Sequence, residues 1–204
     1  MNRMGSIMAE DAGGIAARAA PTLRRDPARI DSVCDLVQTV TMYREAFERI
    51  LAVLPQACDE VYGLRLQSLA LFGSVARGSM RPDSDIDLLI VADPLPAERR
   101  ARMQEFEAVD QALAPLLAEA RASGVHTTLS PVIKTPRELE AGSLLYLDLI
   151  EEARILADRQ GRLADFLARF AQRLAALGAR RVRKGGGYYW ELKPDYRWGD
   201  RIEL

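Results

Sequence analysis

Ser68-Leu69-Ala70-Leu71-Phe72-Gly73-Ser74-Val75-Ala76-Arg77-Gly78, followed by Asp83-Ser84-Asp85-Ile86-Asp87-Leu88-Leu89-Ile90-Val91, is the stretch that decides the fold. Leu69 to Phe72 is an apolar run stopped by glycine, and Ile86 to Ala92 is a second one stopped by Asp93-Pro94. Runs of this length bounded by turn residues read as strands. Gly78, Pro82 and Asp83 mark the segment between them as a polar loop. The order is therefore strand, tight Gly-Ser turn, loop, strand.

The strand ends carry the chemistry. Glycine lets the chain turn sharply at Gly73, and Ser74 adds a hydroxyl where a helix is expected to start, a place suited to phosphate. Asp85 and Asp87 lie two residues apart on an extended segment, so both point to one side, about 6–7 Å apart along the chain. At an effective dielectric near 20 two carboxylates at that spacing repel by about 2–3 kcal/mol. Leu88 and Leu89 continue an apolar run, so the strand reads as buried on both faces, and buried carboxylates need partners. A divalent cation offsets that repulsion, and oxygen donors on a short spacing suit Mg²⁺ or Mn²⁺ completed by water and substrate phosphates.

Phe72-Gly73-Ser74 followed by Asp85-Ile86-Asp87-Leu88 resembles the signature of the DNA polymerase beta-like nucleotidyltransferase superfamily. The wording Gly73-Ser74-Val75-Ala76-Arg77-Gly78 and Ser84-Asp85-Ile86-Asp87-Leu88 is similar to its minimal nucleotidyltransferase branch, which includes antibiotic-modifying enzymes and the nucleotidyltransferase halves of toxin–antitoxin pairs. The resemblance implies that Gly73 and Ser74 hold nucleotide phosphates and that Asp85 and Asp87 are the catalytic, metal-holding pair. Arg77 and Ser84, as motif positions, join the expected nucleotide-binding set.

Composition narrows the alternatives. Lys plus Arg (28) nearly equals Asp plus Glu (29), so no global charge draws the chain to nucleic acid or anionic membrane. Cys34 and Cys58 have no Cys-x-x-Cys spacing and read as reduced core thiols. No apolar run approaches a membrane span and no signal-type h-region opens the chain, so a soluble cytoplasmic protein is the expectation.

Taken in order, residues 1–25 are Ala-, Gly- and Arg-rich without periodicity and are expected to be disordered. A nucleotidyltransferase domain with flanking helices is expected over residues 26–178. It opens with an N-cap and Pro at Asp26-Pro27. Ile30, Val33, Val37, Val40, Phe47, Ile50 and Leu54 form the stripe of a long amphipathic helix. Pro55 is expected to break it, with a short second helix ending at Gly63. Met103, Phe106, Val109, Leu113, Leu116 and Leu117 define a third helix, kinked at Pro115 and stopped at Ser123-Gly124. Its charged side (Glu98, Arg99, Arg102, Glu105) reads as solvated.

Val125 to Ile133 alternates and reads as a strand at the sheet edge, because of Pro131. Thr135-Pro136-Arg137-Glu138 is a helix start of the capping-box type. A helix over 143–151, a strand over 153–157 and an amphipathic helix over 162–177, stopped by Gly178, follow. Residues 179–204 read as a basic and aromatic tail. Its aromatics either contact a base or nucleic acid, or pack on the domain.

Active members of the resembling family carry a third acid on the strand beside the Asp-x-Asp strand, and residues 125–133 contain none. Glu138, Glu140, Asp148, Glu151 and Glu152 are candidates by location, and His126 is a candidate base. The fold expected is an α/β nucleotidyltransferase core: a small mixed sheet, a long N-terminal helix, and helices packed on one face. The expected function is transfer of a nucleoside monophosphate from an NTP, ATP above all, to a hydroxyl with Mg²⁺ and release of pyrophosphate. The acceptor is a small molecule or a protein, such as a HEPN-type toxin. The alternative is a catalytically impaired relative, antitoxin-like, that binds only nucleotide or a partner.

Overall fold

A computed structural model describes residues 33–185 and 187–198, with side chains from residue 41 onward. The expected disorder of residues 1–25 and the helix start at Asp26-Pro27 lie outside the described residues. Helix α1 spans Val33–Tyr62, followed by strand β1 (Leu66–Phe72), the single-turn helix α2 (Gly73–Ala76) and strand β2 (Ile86–Ala92). Helix α3 (Arg99–Ala122), strand β3 (Leu129–Lys134) and helices α4 (Pro136–Glu140) and α5 (Tyr146–Glu152) come next. Strand β4 (Arg154–Asp158), helix α6 (Arg162–Ala176) and the hairpin β5 (Arg180–Lys184) and β6 (Gly187–Glu191) complete the order.

The four-stranded sheet has the order β3-β2-β1-β4. β1 pairs antiparallel with both β2 and β4, and β3 runs parallel to β2, so the sheet is mixed. β3 does lie at an edge, where the missing amide of Pro131 is tolerated. The expected strand from Val125 is shorter, because residues 125–128 are extended without strand pairing.

Helices cover both faces of the sheet rather than one. Leu69, Leu71, Ile86, Leu88 and Ile90 face α1 and α3, packing with Phe47, Ile50, Leu54, Phe106, Val109 and Leu113. Ala70, Leu89 and Val91 face the other way, against Leu139 of α4, Tyr146, Leu147 and Leu149 of α5, and Leu163, Phe166 and Phe170 of α6. The alternation of the central strands is thus buried on both sides, which is why they read as continuous apolar runs. The ring of Tyr146 meets that of Phe166 edge-on, 5.3 Å between centroids.

Helix α1 continues through Pro55 rather than ending there. An interior proline costs about 3 kcal/mol. Beyond it Ala57, Cys58 and Tyr62 are buried on the stripe begun by Phe47, Ile50, Leu51 and Leu54. Each large side chain kept in the core returns about 1.5–3 kcal/mol, so continuing the helix is the lower-energy choice. Gly63, with φ +55°, ends it as the turn residue.

The charged side of α3 is not fully solvated. Arg102 is 8 % exposed, and its guanidinium makes two bonds to Glu138, at 2.6 and 3.1 Å, while donating to the carbonyls of Pro96 and Ile133. Glu105 pairs with Arg65. The capping box at Thr135 is present, and Glu138 therefore serves both the cap and Arg102.

Asp158 ends β4, accepts from buried Ser68 on β1, and takes the amides of Leu163 and Ala164 at the start of α6. Residues 180–191 form a hairpin in which Arg180 pairs with Glu191 at 2.6 Å. Trp190 packs on the second core, whereas Tyr188, Tyr189, Tyr196 and Trp198 remain exposed. Among the described residues no helix is long and apolar enough to cross a membrane.

Candidate active site

The site is built where β1 ends and β2 begins. In the antiparallel register Phe72 lies opposite Asp87. The next residue, Gly73, has φ +72° and starts α2. The left-handed turn lays the glycine directly over the Asp87 carboxylate: a Cβ at this position would stand 2.3 Å from Asp87 Oδ2. Only a residue without a side chain allows that approach. Ser74 follows in the first turn of α2, where main-chain amides have no intrahelical acceptor. Val75 is buried and anchors the turn.

Asp87 belongs to β2, and Asp85 lies one residue before the strand, exposed. β3 and the residue leading into it hold both acids. Thr128 donates to Asp85 Oδ1 at 2.7 Å, and the Ser130 hydroxyl, opposite Asp87 in register, bonds the Asp87 carboxylate. Burial pushes the Asp87 carboxyl above the usual carboxylate range, opposed by the Ser130 hydrogen bond, raised further by the charge of Asp85 and lowered by Arg77. Gly73 thus lies against the Asp87 carboxylate, and Asp85 is near enough for its charge to act on Asp87.

The remaining predicted residues are placed differently. Ser84 accepts the Arg81 amide at 2.9 Å and closes the turn that delivers Asp85. Arg77 caps α2 and sends its guanidinium to Glu152, whose side chain is only 4 % exposed. Glu152 also binds Arg181 at 3.0 Å, and Arg181 reaches Glu151 at 2.5 Å. Asp148 accepts from Tyr188 and from the Trp190 indole, and Glu138 and Glu140 pair with Arg102 and Arg169. All five acids named as substitutes for the missing one are thus occupied elsewhere. His126 is exposed, its amide bonded to Pro82.

The sequence model described as "Nucleotidyltransferase domain" matches residues 52–156, more than half of the chain, and ends within the strand that closes the sheet. The chain belongs to the nucleotidyltransferase domain family. "Putative protein adenylyltransferase MJ1305" from Methanocaldococcus jannaschii is 30% identical over 130 residues, covering 63% of this chain and 83% of that protein. Among solved structures, "Crystal structure of the toxin-antitoxin with AMP-PNP" aligns over 65% of this chain and 90% of its own, at 19% identity and TM-score 0.38. A tri-AMPylated Shewanella oneidensis HEPN toxin in complex with MNT antitoxin aligns over 67% and 90%, at 18% identity and TM-score 0.33.

Nucleotidyltransferases work with divalent metal ions. Two neighbouring carboxylates, with oxygen donors only, are the donor chemistry that suits one such ion completed by phosphate oxygens and water. Among the described residues no group of three His, Cys, Asp or Glu is placed to hold a metal. The donor set therefore fits one ion and offers no third acid for a second.

Beside the acid pair lies a cleft of about 780 Å³, floored by Ala76, Arg77, Glu151 and Glu152 and walled by Arg181, Arg183 and Tyr188 of the hairpin. Sequence reasoning did not foresee it, because its lining comes from three separate segments of the chain, around residues 76–77, 151–152 and 181–188.

Proposed function

We propose that this nucleotidyltransferase transfers AMP from Mg²⁺-bound ATP to a hydroxyl of a polypeptide acceptor. The observation that carries the reading is the approach of the Gly73 turn to the Asp87 carboxylate, which supports a phosphate held at the turn beside a metal-holding acid. The name of the Methanocaldococcus jannaschii relative supports adenylyl transfer to protein.

In the reaction the acceptor oxygen forms a bond to the α-phosphorus, the bond from that phosphorus to the bridging oxygen of the β-phosphate breaks, and pyrophosphate leaves. The hydroxyl proton passes to water. Asp85 and Asp87 would hold the ion, which supplies charge neutralisation at the phosphate oxygens. Gly73 and Ser74 present an amide and a hydroxyl to the β- and γ-phosphates. Thr128 and Ser130 keep the two carboxylates turned toward the ion. Arg77, already paired with Glu152, orients the turn. Positioning and charge stabilisation of this kind are most of what phosphoryl-type transfer asks of a protein.

The test is incubation with Mg²⁺ and ATP labelled at the α- or the γ-phosphate, using hydroxyl-bearing peptides and proteins as acceptors. Label is expected from the α-position only, and Asp87→Asn is expected to abolish it while the fold persists. A second reading has its own support: Ser130 stands opposite Asp87 on the neighbouring strand, where no acid is supplied. If nucleotide binds but no acceptor takes up Asp85-dependent label, the chain is a nucleotide-binding partner protein without transferase activity.

A further inference from the structure

We infer that the cleft between α2, α5 and the C-terminal hairpin is the acceptor subsite, and that it selects an acidic polypeptide segment. This rests on the reading that the chain transfers a nucleotidyl group to a protein hydroxyl.

The cleft adjoins the phosphate-binding turn without including it: Ala76 and Arg77 line the floor, whereas Gly73, Ser74, Asp85 and Asp87 do not. A triphosphate held at the turn leaves the cleft to another part of the substrates. A nucleoside base stacks on an open ring face, and the one ring here already carries a guanidinium over one of its faces. The Arg181 guanidinium lies 3.4 Å from the centroid of Tyr188, whose hydroxyl donates to Asp148 at 2.9 Å. Apart from Ala76 the lining is otherwise charged or glycine, and a volume of about 780 Å³ accommodates several residues of an extended chain.

The sign of the charge follows from counting which groups are committed. The whole chain has a formal net charge of −1, yet β5 reads Arg180-Arg181-Val182-Arg183-Lys184. Arg180 is paired with Glu191, and Arg181 and Arg77 share Glu151 and Glu152. Arg183 lines the cleft and, among the described residues, has no ion-pair partner. A Cβ at Gly185 or Gly187 would meet open space, so a partner backbone can come close to the hairpin turn. The free guanidinium calls for a carboxylate. A nucleic-acid strand fits less well, since one unpaired guanidinium matches a carboxylate better than a continuous run of phosphates, which calls for many cations.

The experiment uses the full chain, with and without Mg²⁺ and a non-hydrolysable ATP analogue, and two fluorescent peptides carrying Tyr, Ser and Thr. One peptide is flanked by Glu and the other by Lys. Anisotropy is expected to show the Glu peptide binding about tenfold tighter at low salt, with the preference weakening as salt rises. Arg183→Lys keeps the preference, and Arg183→Glu flattens or reverses it while nucleotide affinity is unchanged. Equal binding of the two peptides overturns the inference. So does an Arg183→Glu effect confined to the nucleotide, or Arg183-dependent binding of a single-stranded oligonucleotide in place of the peptide. Because the peptide arm also runs without nucleotide, loss of nucleotide binding alone refutes the transferase reading and leaves the cleft tested on its own.

Discussion

Gly73→Ala is the most demanding test of the site's geometry. The new Cβ would stand 2.3 Å from Asp87 Oδ2, where real Cβ contacts stay above 3.0 Å, so the carboxylate or the turn must move by at least about 0.7 Å. The backbone at φ +72° adds its own penalty, about 1–2 kcal/mol for a residue with a Cβ. In a chain of this size each kcal/mol lowers Tm by about 2–4 °C, so a fall of about 2–8 °C is expected from the backbone alone. The functional loss should be larger in proportion, since misplacing a reacting group by about 1 Å costs about a hundredfold. Thermal melts followed by circular dichroism give the first quantity, and calorimetric titration of an ATP analogue with Mg²⁺ gives the second. The double variant Gly73→Ala with Asp87→Ala separates the causes: it removes the clash and should melt above the Gly73→Ala single variant, the backbone penalty remaining. If Gly73→Ala binds nucleotide as tightly as the parent, or if the double variant regains no stability, the carboxylate does not lie under the glycine.

Other expectations follow from single groups. Arg102, the Thr135 amide and the charge of Lys134 hold the Glu138 carboxyl down, from 4.5 to about 2. A depressed folded-state value means stability that is complete above pH 4.5 and lost as pH falls toward 2. Glu138→Gln should therefore cost about 1–2 kcal/mol at neutral pH, the partial exposure of Glu138 limiting the loss, and the gap to the parent should close in urea melts run at falling pH. Burial pushes the Cys58 thiol up to about 12, so in a Cys34→Ser background a disulfide reagent should label it only after unfolding. Ser130→Asp places a third carboxylate opposite Asp87; Mn²⁺ affinity should rise about tenfold and stability without metal should fall. Unchanged Mn²⁺ affinity would mean that position 130 does not face the ion.

What the sequence made legible was local. The Gly73 turn and the Thr135-Pro136-Arg137-Glu138 start each lie within a few residues of their own cause, and each is present in the structure. Docking was not legible. The apolar stripe from Leu163 to Leu174 declares a helix, but nothing in it says which sheet face it covers, so the helices were expected on one face although the strand itself read as buried on both. Arg102 and Glu105 sit among charges on α3 and read as solvated, because the acid that buries Arg102 lies on α4, beyond β3. Glu152 is the same case: an acid late in a short helix, meeting one arginine from the motif and another from the hairpin. The hairpin itself carried a readable signal. A glycine run between Val182 on one side and Tyr188-Tyr189-Trp190 on the other is a turn signal flanked by strand-forming residues, and weighing the segment by charge and aromatic content hid it.

The distribution of cations decides how the two substrates are held. Arg77 is the arginine of the nucleotide motif, yet Glu152 takes up its charge, and the acids at the turn are negative. On the proposed reading, nucleotide affinity therefore follows a divalent ion that Asp85 and Asp87 would hold more than it follows Arg77. Among the arginines that line the cleft, the one without an ion-pair partner among the described residues is Arg183, on the hairpin wall. An exposed pair there is screened by salt at the Debye length of about 8 Å in physiological buffer, whereas a directly coordinated ion is screened far less. Rising salt should thus weaken acceptor binding well before it weakens nucleotide binding at saturating Mg²⁺. The reverse order, with nucleotide the more salt-sensitive, would place the working cations at the triphosphate and remove the reason for assigning Arg183 to the acceptor.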